Sequence, residues 1–238
     1  MKNQLNIIPF GHQCLLIQWK NKDPQQNIIK TISFLEKKHN EKILELVPSY
    51  TELAIYLHEG VNQQDLLKTI KNEIPISSNK NNEFSGKIYE IPVCYDIDKG
   101  IDLEELARSK NRTPKDIIEL HSQVTYHIHF LGFLPGFPYL SGLDPKLHHP
   151  RLESPRTRVT KGSVGIAGNQ TGIYPSTSPG GWNIIGQTPV DLFSVNEDPP
   201  ARLKAGNRLR FKAIDKGEFE KISAEVKNNN YQIRTSND

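Results

Sequence analysis

The chain has 238 residues, 36% of them hydrophobic, and a formal net charge of +3. This length suits one large domain or two modest ones, and the composition is that of a globular chain rather than a disordered one. Thirty basic residues are nearly matched by 27 acidic ones, so a generic nucleic-acid binder is not indicated.

The N-terminal segment MKNQLNIIPFGHQ contains no continuous apolar stretch of the kind found in secretory signals. No later run is apolar for long enough to span a membrane. Cys14 and Cys94 lie in apolar, strand-like segments, which favours buried reduced thiols over a disulfide framework or a metal site. We therefore expect a cytoplasmic protein that binds neither a membrane nor nucleic acid.

The first 95 residues predict an α+β domain. CLLIQW is a short strand-like run after a turn, and apolar residues alternate in KILELV and TELAIYLH, as they do in half-buried strands; a further strand follows in KIYEIPV. The segments NIIKTISFLEKKHN and NQQDLLKTIKNEI carry their apolar residues on one helical face instead. The resulting order, β-α-β-β-α-β, predicts a ferredoxin-like domain with two helices on one face of an antiparallel sheet.

Two short helices are expected to link this domain to the rest of the chain. The first is IDLEELARSK. The second is RTPKDIIELHS, in which Thr113 suits the N-cap, Pro114 the first helical position and Asp116 the positive end of the helix dipole. His121 ends this helix, where a structural role and a general-base role both remain open.

The remainder of the region 96–238 predicts a compact all-β barrel or sandwich without further helices. Residues 132–186 contain ten of the 16 glycines of the chain, and short strand-like pieces such as SVGIAG, GIYP and WNIIGQTP lie between Gly and Pro turns. The segments DLFSV and NRLRFKAI predict two closing strands.

The glycine-rich loops combine aromatic side chains with arginines and hold few acids. Between residues 133 and 189 the acids are Asp144 and Glu153, whereas the bases are Lys146, Arg151, Arg156, Arg158 and Lys161. Loops with aromatic walls and guanidinium groups suit a small anionic ligand, although a tightly turned barrel without chemistry explains the glycines equally well. Gly180 and Gly181 can present backbone N–H groups to an oxyanion.

The sequence contains neither a G-x-G-x-x-G run nor a Walker-type phosphate loop, so we expect this chain to bind no ATP by either route. His127 and His129 share one face of a predicted strand, but no Asp, Glu or Cys at suitable spacing completes a metal site. No G-x-S-x-G elbow supports a serine hydrolase. We therefore predict no metal and no self-sufficient nucleophile.

Four segments together resemble the family of bacterial 5-oxoprolinase B subunits, which includes KipI-like proteins and is related to allophanate hydrolase subunit 1. They are GFLPGFPYLSGL, PRLESPRTRV, GSVGIAGNQTGIYP and SPGGWNIIGQTP. The upstream segments VPSYTELAIYL and TPKDIIELHS are also similar to that family. The Thr160-Lys161 pair departs from its usual pattern, in which a Pro and a small residue precede Gly-Ser-Val.

The resemblance implies a ferredoxin-like N-terminal domain followed by a cyclophilin-like β-barrel. It also implies an activity that this chain performs only with partner subunits A and C: the ATP-dependent opening of 5-oxo-L-proline to L-glutamate, with ATP used by the complex. Two alternatives stay open, namely a KipI-like inhibitor of sensor histidine kinase autophosphorylation and a subunit of an allophanate or amide hydrolase.

Site roles follow from the same resemblance. His121 and Arg156 are expected to be catalytic. The residues expected to bind the small anionic substrate are Arg151, Phe133, Phe137, Tyr139, Gln170, Thr171, Tyr174, Gly180, Gly181 and Trp182.

Overall fold

The computed structural model describes residues 5–21, 24–74 and 86–236, and the chain divides into two compact units, Met1–Phe84 and Ser85–Asp238. The boundary therefore falls earlier than the predicted residue 95. Strand β5, Ile88–Cys94, is the reason: it pairs along its whole length with strand β13, Arg208–Ile214, of the second unit. Alternation alone identified this strand correctly but could not show which sheet it joins.

The first unit is an antiparallel four-stranded sheet with two helices, α1 (Gln25–His39) and α2 (Gln63–Glu73). The side chain of Asn62 caps α2 by accepting hydrogen bonds from the N–H groups of Gln64 and Asp65. The strands run in the order β1-β2-β4-β3 and are β1 (Leu5–Pro9), β2 (Cys14–Trp19), β3 (Ile43–Pro48) and β4 (Glu52–Leu57).

The predicted order of elements in this unit is wrong at its edge. In a β-α-β-β-α-β unit, the final strand would pair with β2 at the edge of the sheet. Here β1, which sequence analysis missed, occupies that position. The α+β class holds, because the buried faces of both helices and of the sheet form one apolar core.

The second unit contains a closed barrel of seven strands. Each strand pairs with the next in the cycle β12-β9-β10-β7-β6-β13-β5, and the pair Gln187–Cys94 joins β12 to β5 and completes the circuit. The other strands are β6 (Thr125–Leu131), β7 (Pro138–Ser141), β9 (Ser163–Ala167), β10 (Gln170–Ile173) and β12 (Asn183–Gln187), while β8 (Arg156–Val159) and β11 (Ser178–Gly180) form a separate ribbon. The prediction of a barrel is confirmed.

The described residues of this unit include the α-helices α3 (Leu103–Ser109), α4 (Pro114–Ser122) and α5 (Lys216–Lys227). The predicted start of α4 is confirmed in detail, because Thr113 and Asp116 form a reciprocal capping box. Helix α5 contradicts the expectation that no helix follows His121. It is followed by a short strand, β14 (Arg234–Ser236), which pairs with β5.

The predicted strand DLFSV is also absent: that stretch contributes one isolated bridge, between Phe193 and Ala201. Among the described residues, no helix has both the length and the apolar character needed to cross a lipid bilayer.

Candidate functional site

Most of the aromatic rings predicted to line a ligand pocket fill a core of their own instead. Phe137, Tyr174 and Trp182 are almost fully buried and contact one another edge to face, with ring centroids 5.3–6.4 Å apart. Burial raises the pKa of Tyr174 above its ordinary value. A ligand therefore has little access to these three rings.

The glycines of the region make room for these rings. A Cβ on Gly172 would lie 2.9 Å from the ring of Phe137, and one on Gly165 would lie 3.1 Å from the Cβ of Trp182. A Cβ on Gly180 would collide with the hydroxyl group of Tyr174. The dense glycines thus serve close packing between strand backbones and aromatic side chains.

His121, near the end of α4, is completely buried and contacts Thr171 of β10 and Phe211 of β13. The hydroxyl of Thr171 donates to the carbonyl oxygen of Gly165 (2.9 Å), so His121 Nε2–H donates to Thr171 Oγ1 (2.9 Å). His121 Nδ1 is then left to accept from the hydroxyl of Tyr95 (2.8 Å). One neutral tautomer satisfies all three hydrogen bonds.

Burial lowers the pKa of His121 to about 3. Its ring stacks on Phe211 with centroids 4.4 Å apart, and its carbonyl accepts from Tyr126 Oη. These are the contacts of a structural histidine rather than of a general base, because neither ring nitrogen is available to a substrate. Thr171, fully buried in the same network, is equally inaccessible.

Arg156 is held by a carboxylate that sequence analysis missed. Asp102, just before α3, accepts from both terminal nitrogens of Arg156 at 2.9 and 2.5 Å, and also from the backbone N–H of Ile184 at 2.6 Å. Asp102 makes no capping bond to α3, although its place directly before LEELARS suggests an N-cap. The only sequence signal for it was an Asp at that position.

A small cleft of about 80 Å³ lies beside this ion pair. Its lining includes three cationic side chains, Lys99, Arg156 and Arg158, and one carboxylate, Asp98. Asp102 neutralises the charge of Arg156. The remaining charged groups of the lining are therefore two cations, Lys99 and Arg158, and one anion, Asp98. This excess of positive charge suits an anionic group.

Arg151 and Arg156 approach Trp182 from two directions. The guanidinium of Arg151 lies 5.9 Å from the centre of the Trp182 ring, and Arg156 donates to the Trp182 carbonyl at 3.4 Å. The exposed ring of Phe133 stands at the edge of the same aromatic cluster, 5.6 Å from Phe137. Phe133 adopts a φ of 70°, which is rare for a bulky residue and marks a constrained loop.

The structure thus separates the predicted site residues into two groups. His121, Thr171, Phe137, Tyr174 and Trp182 are interior groups. The predicted residues that keep contact with solvent are Phe133, Tyr139, Arg151, Arg156, Gln170, Gly180 and Gly181. Among the described residues, no cluster of three or more His, Cys, Asp or Glu side chains is placed to hold a metal ion.

Comparison with known proteins places the chain in a family. Residues 5–203 match the family model described as "Carboxyltransferase domain, subdomain C and D". The chain is 35% identical over 205 residues to the 5-oxoprolinase B subunit of Bacillus subtilis, covering 81% of this chain and 85% of that protein. It is 36% identical over 211 residues to the 5-oxoprolinase B subunit of Haemophilus influenzae, covering 87% of this chain and 97% of that protein.

A solved structure supports the fold. The K. lactis urea amidolyase superimposes with a TM-score of 0.77 over 98% of this chain, which spans 16% of that much longer protein. At 20% identity, this likeness shows the fold alone. From the family model and the two nearly full-length relatives, we conclude that the chain belongs to the carboxyltransferase subdomain C and D family, among the B subunits of 5-oxoprolinases.

Proposed function

We propose that this chain is the B subunit of an ATP-dependent 5-oxoprolinase, which opens 5-oxo-L-proline to L-glutamate together with subunits A and C. The observation that carries the proposal is the match to relatives of that name over 85% and 97% of their own lengths. The ferredoxin-like name for the first unit and the cyclophilin-like name for the barrel belong to the same proposal.

The reaction explains why ATP is needed. A lactam carbonyl is a poor electrophile, and transfer of the γ-phosphoryl group from ATP to its oxygen makes the ring carbon more electrophilic. One water molecule then adds to that carbon and the ring C–N bond breaks, which leaves a free amine and an acyl phosphate. A second water molecule hydrolyses the acyl phosphate to the carboxylate of glutamate and phosphate. The net change consumes one ATP and two water molecules and releases glutamate, ADP and phosphate. The proposed substrate carries a carboxylate throughout, and its phosphorylated form carries further negative charge, so a cationic binding surface favours both.

We assign the recognition of this negative charge to the cleft beside Arg156. Lys99 and Arg158 supply positive charge there, and Asp102 fixes the orientation of the Arg156 guanidinium. A cleft of about 80 Å³ is much smaller than an ordinary ligand pocket. It has room for an anionic group of the substrate, so the remainder of the substrate would lie outside it, toward a partner subunit.

The proton transfers are assigned to other groups than His121. That histidine is neutral, buried and fully hydrogen-bonded. In place of the predicted catalytic role, we assign it a structural one, in which its hydrogen bond to Thr171 holds β10 against α4. The proposal accordingly includes the expectation that the chain alone has no 5-oxoprolinase activity.

The test is reconstitution. The purified chain, mixed with subunits A and C, should release glutamate from 5-oxo-L-proline only when ATP is present. Arg158→Ala changes an exposed residue of the cleft lining. It should raise KM for 5-oxo-L-proline about tenfold by removing a charge-assisted contact. The control Arg108→Ala, at an exposed position of α3, should leave KM unchanged. A complete mixture that releases no glutamate would refute the proposal, and an unchanged KM for Arg158→Ala would refute the assignment of the cleft.

A further inference from the structure

The short turn between β5 and α3 carries two of the charged side chains that line the cleft beside Arg156. These are Asp98 and Lys99. The N–H groups of Lys99 and Gly100 both donate to the carbonyl oxygen of Asp96, at 2.8 and 2.7 Å. Because these bonds fix the backbone of the turn, the position of each charged side chain depends on the groups that surround it.

Helix α5 places an aromatic ring against Lys99. The ammonium nitrogen of Lys99 lies 4.8 Å from the centre of the Phe219 ring, which is within the range of a cation–π interaction. Phe219 itself packs against the apolar core of the second unit, one helical turn before the buried Ile222. A cation–π contact orients the ammonium but does not neutralise its charge, so an oxyanion can still bind its N–H groups.

The same helix binds the carboxylate that competes for Lys99. Asp98 Oδ2 lies 3.9 Å from Lys99 Nζ but only 3.3 Å from Nζ of Lys216, the first residue of α5, which donates a hydrogen bond to it. The closer cationic partner of Asp98 is therefore on α5. This arrangement leaves more of the positive charge of Lys99 for a ligand in the cleft.

Apolar packing already accounts for the attachment of α5 to the barrel. Phe219, Ile222 and Val226 lie at helical spacing, and all three pack in or against the core of the second unit. The ion pair between Lys216 and Asp98 joins two exposed side chains, and pairs of this kind contribute little to stability. Its main effect is on the charge available in the cleft.

We propose that α5 is a positioning element for anion binding: Phe219 holds Lys99 at the cleft, and Lys216 keeps Asp98 from neutralising it. The bound group is an oxyanion, which the carboxylate or the phosphoryl group of the proposed substrate can supply. The inference rests on the assignment of the cleft under the proposed function. It adds two residues of α5 that act on binding through the turn rather than by contact with the ligand.

The test measures anion binding by the full chain alone. Inorganic phosphate is the probe for a phosphoryl group and 5-oxo-L-proline the probe for a carboxylate, and the amide NMR signals of residues 96–100 report binding. Phe219→Leu removes the ring but keeps an apolar side chain, so it should raise Kd about two- to fivefold for the probe that binds. Phe219→Tyr keeps the ring and should bind as the wild type does.

A second pair of variants tests the role of Lys216. Lys216→Gln should raise Kd about two- to threefold, since Asp98 is then free to pair with Lys99. In an Asp98→Asn background the same change should have no effect, because the competing carboxylate is absent. Lys227→Gln, an exposed change at the opposite end of α5, is the matched control and should leave Kd unchanged.

Each other outcome overturns a defined statement. If Phe219→Leu and Lys216→Gln bind both probes as the wild type does, while the wild-type chain with subunits A and C releases glutamate, the positioning role is wrong and the proposed function stands. If the variants weaken binding as expected but the complete wild-type mixture releases no glutamate, the proposed function falls and the positioning role stands. If the wild type binds neither probe, the positioning role falls together with the assignment of the cleft.

The background variant separates positioning from a general effect of charge. An equal rise in Kd for Lys216→Gln with and without Asp98→Asn would mean that Lys216 acts only through its own positive charge, and its proposed role would be wrong. Should Phe219→Leu fail to fold by circular dichroism, the variants of Lys216 and Asp98 decide alone.

Discussion

Mild acid is expected to destabilise the second unit through His121. The imidazole is completely buried with both ring nitrogens hydrogen-bonded, and burial lowers its pKa to about 3. In the unfolded chain the same group has a pKa of about 6.5. Below that value the unfolded chain binds a proton that the folded protein excludes, so the full stability is present above about pH 6.5 and is lost as the pH falls toward 3.

The size of the effect follows from linkage. One proton bound by the unfolded state alone changes the free energy of unfolding by about 1.4 kcal/mol per pH unit. Between about pH 6.5 and about pH 5 the loss is therefore about 2 kcal/mol, a large part of the stability of an ordinary domain. The groups that stack on or hydrogen-bond to the ring are Phe211, Tyr95 and Thr171, which carry no negative charge to hold an imidazolium.

The assay compares urea unfolding of the wild type and His121→Gln at about pH 7 and about pH 5. Gln keeps a donor and an acceptor but does not titrate, so the variant should be less stable at neutral pH and should lose less on acidification. Partial burial also lowers the pKa of His149, but both proteins contain that residue and its contribution cancels in the difference. A stability difference between the two proteins that stays constant with pH would refute the reasoning.

Two further predictions concern residues that the structure brings together. Asp102→Asn should lower the free energy of unfolding by about 2 kcal/mol, because it leaves the partly buried guanidinium of Arg156 without its counter-charge. In urea unfolding, the double change Asp102→Asn/Arg156→Gln should recover part of this loss. Equal losses in the single and double variants would contradict the pairing. Gly172→Ala should lower the free energy of unfolding by about 1–3 kcal/mol, since the new methyl group would meet the ring of Phe137 at 2.9 Å. The control Gly181→Ala, whose new methyl group would have its nearest neighbour at 3.5 Å, should lower it far less. Equal thermal midpoints for these two variants would contradict the packing argument.

Local signals in the sequence predicted local structure well. The N-cap role of Thr113 and the helical face of α2 depend on residues within a few positions of one another, and both were predicted; the structure adds that Asp116 completes a capping box. Helix α5 had a comparable signal, because Asp215 suits its N-cap and Phe219 and Ile222 lie at helical spacing. The prediction took NRLRFKAI as the closing strand and assigned no element after it, so this helix was missed.

Pairings between distant segments set the limit of sequence reasoning. The sequence of strand β5 predicts a strand whether it joins the first sheet or the barrel, and the choice is decided by β13, far along the chain. The ion pair of Asp102 with Arg156 likewise joins residues 54 positions apart. A carboxylate directly before a helix predicts an N-cap. The local sequence does not show that an arginine far along the chain binds its oxygens instead.

The aromatic residues of the glycine-rich loops illustrate the same limit for function. Composition alone fits a ligand pocket and a self-filled interior equally well, because both need large rings beside backbone that lacks side chains. The structure decides between them through glycines on neighbouring strands: Gly165 and Gly172 admit the side chains of Trp182 and Phe137 into the space that a ligand would need. Under the proposed function, recognition depends on groups that the barrel leaves at its surface, and Arg158 is the member of the cleft lining whose change is expected to alter binding without disturbing the ring core.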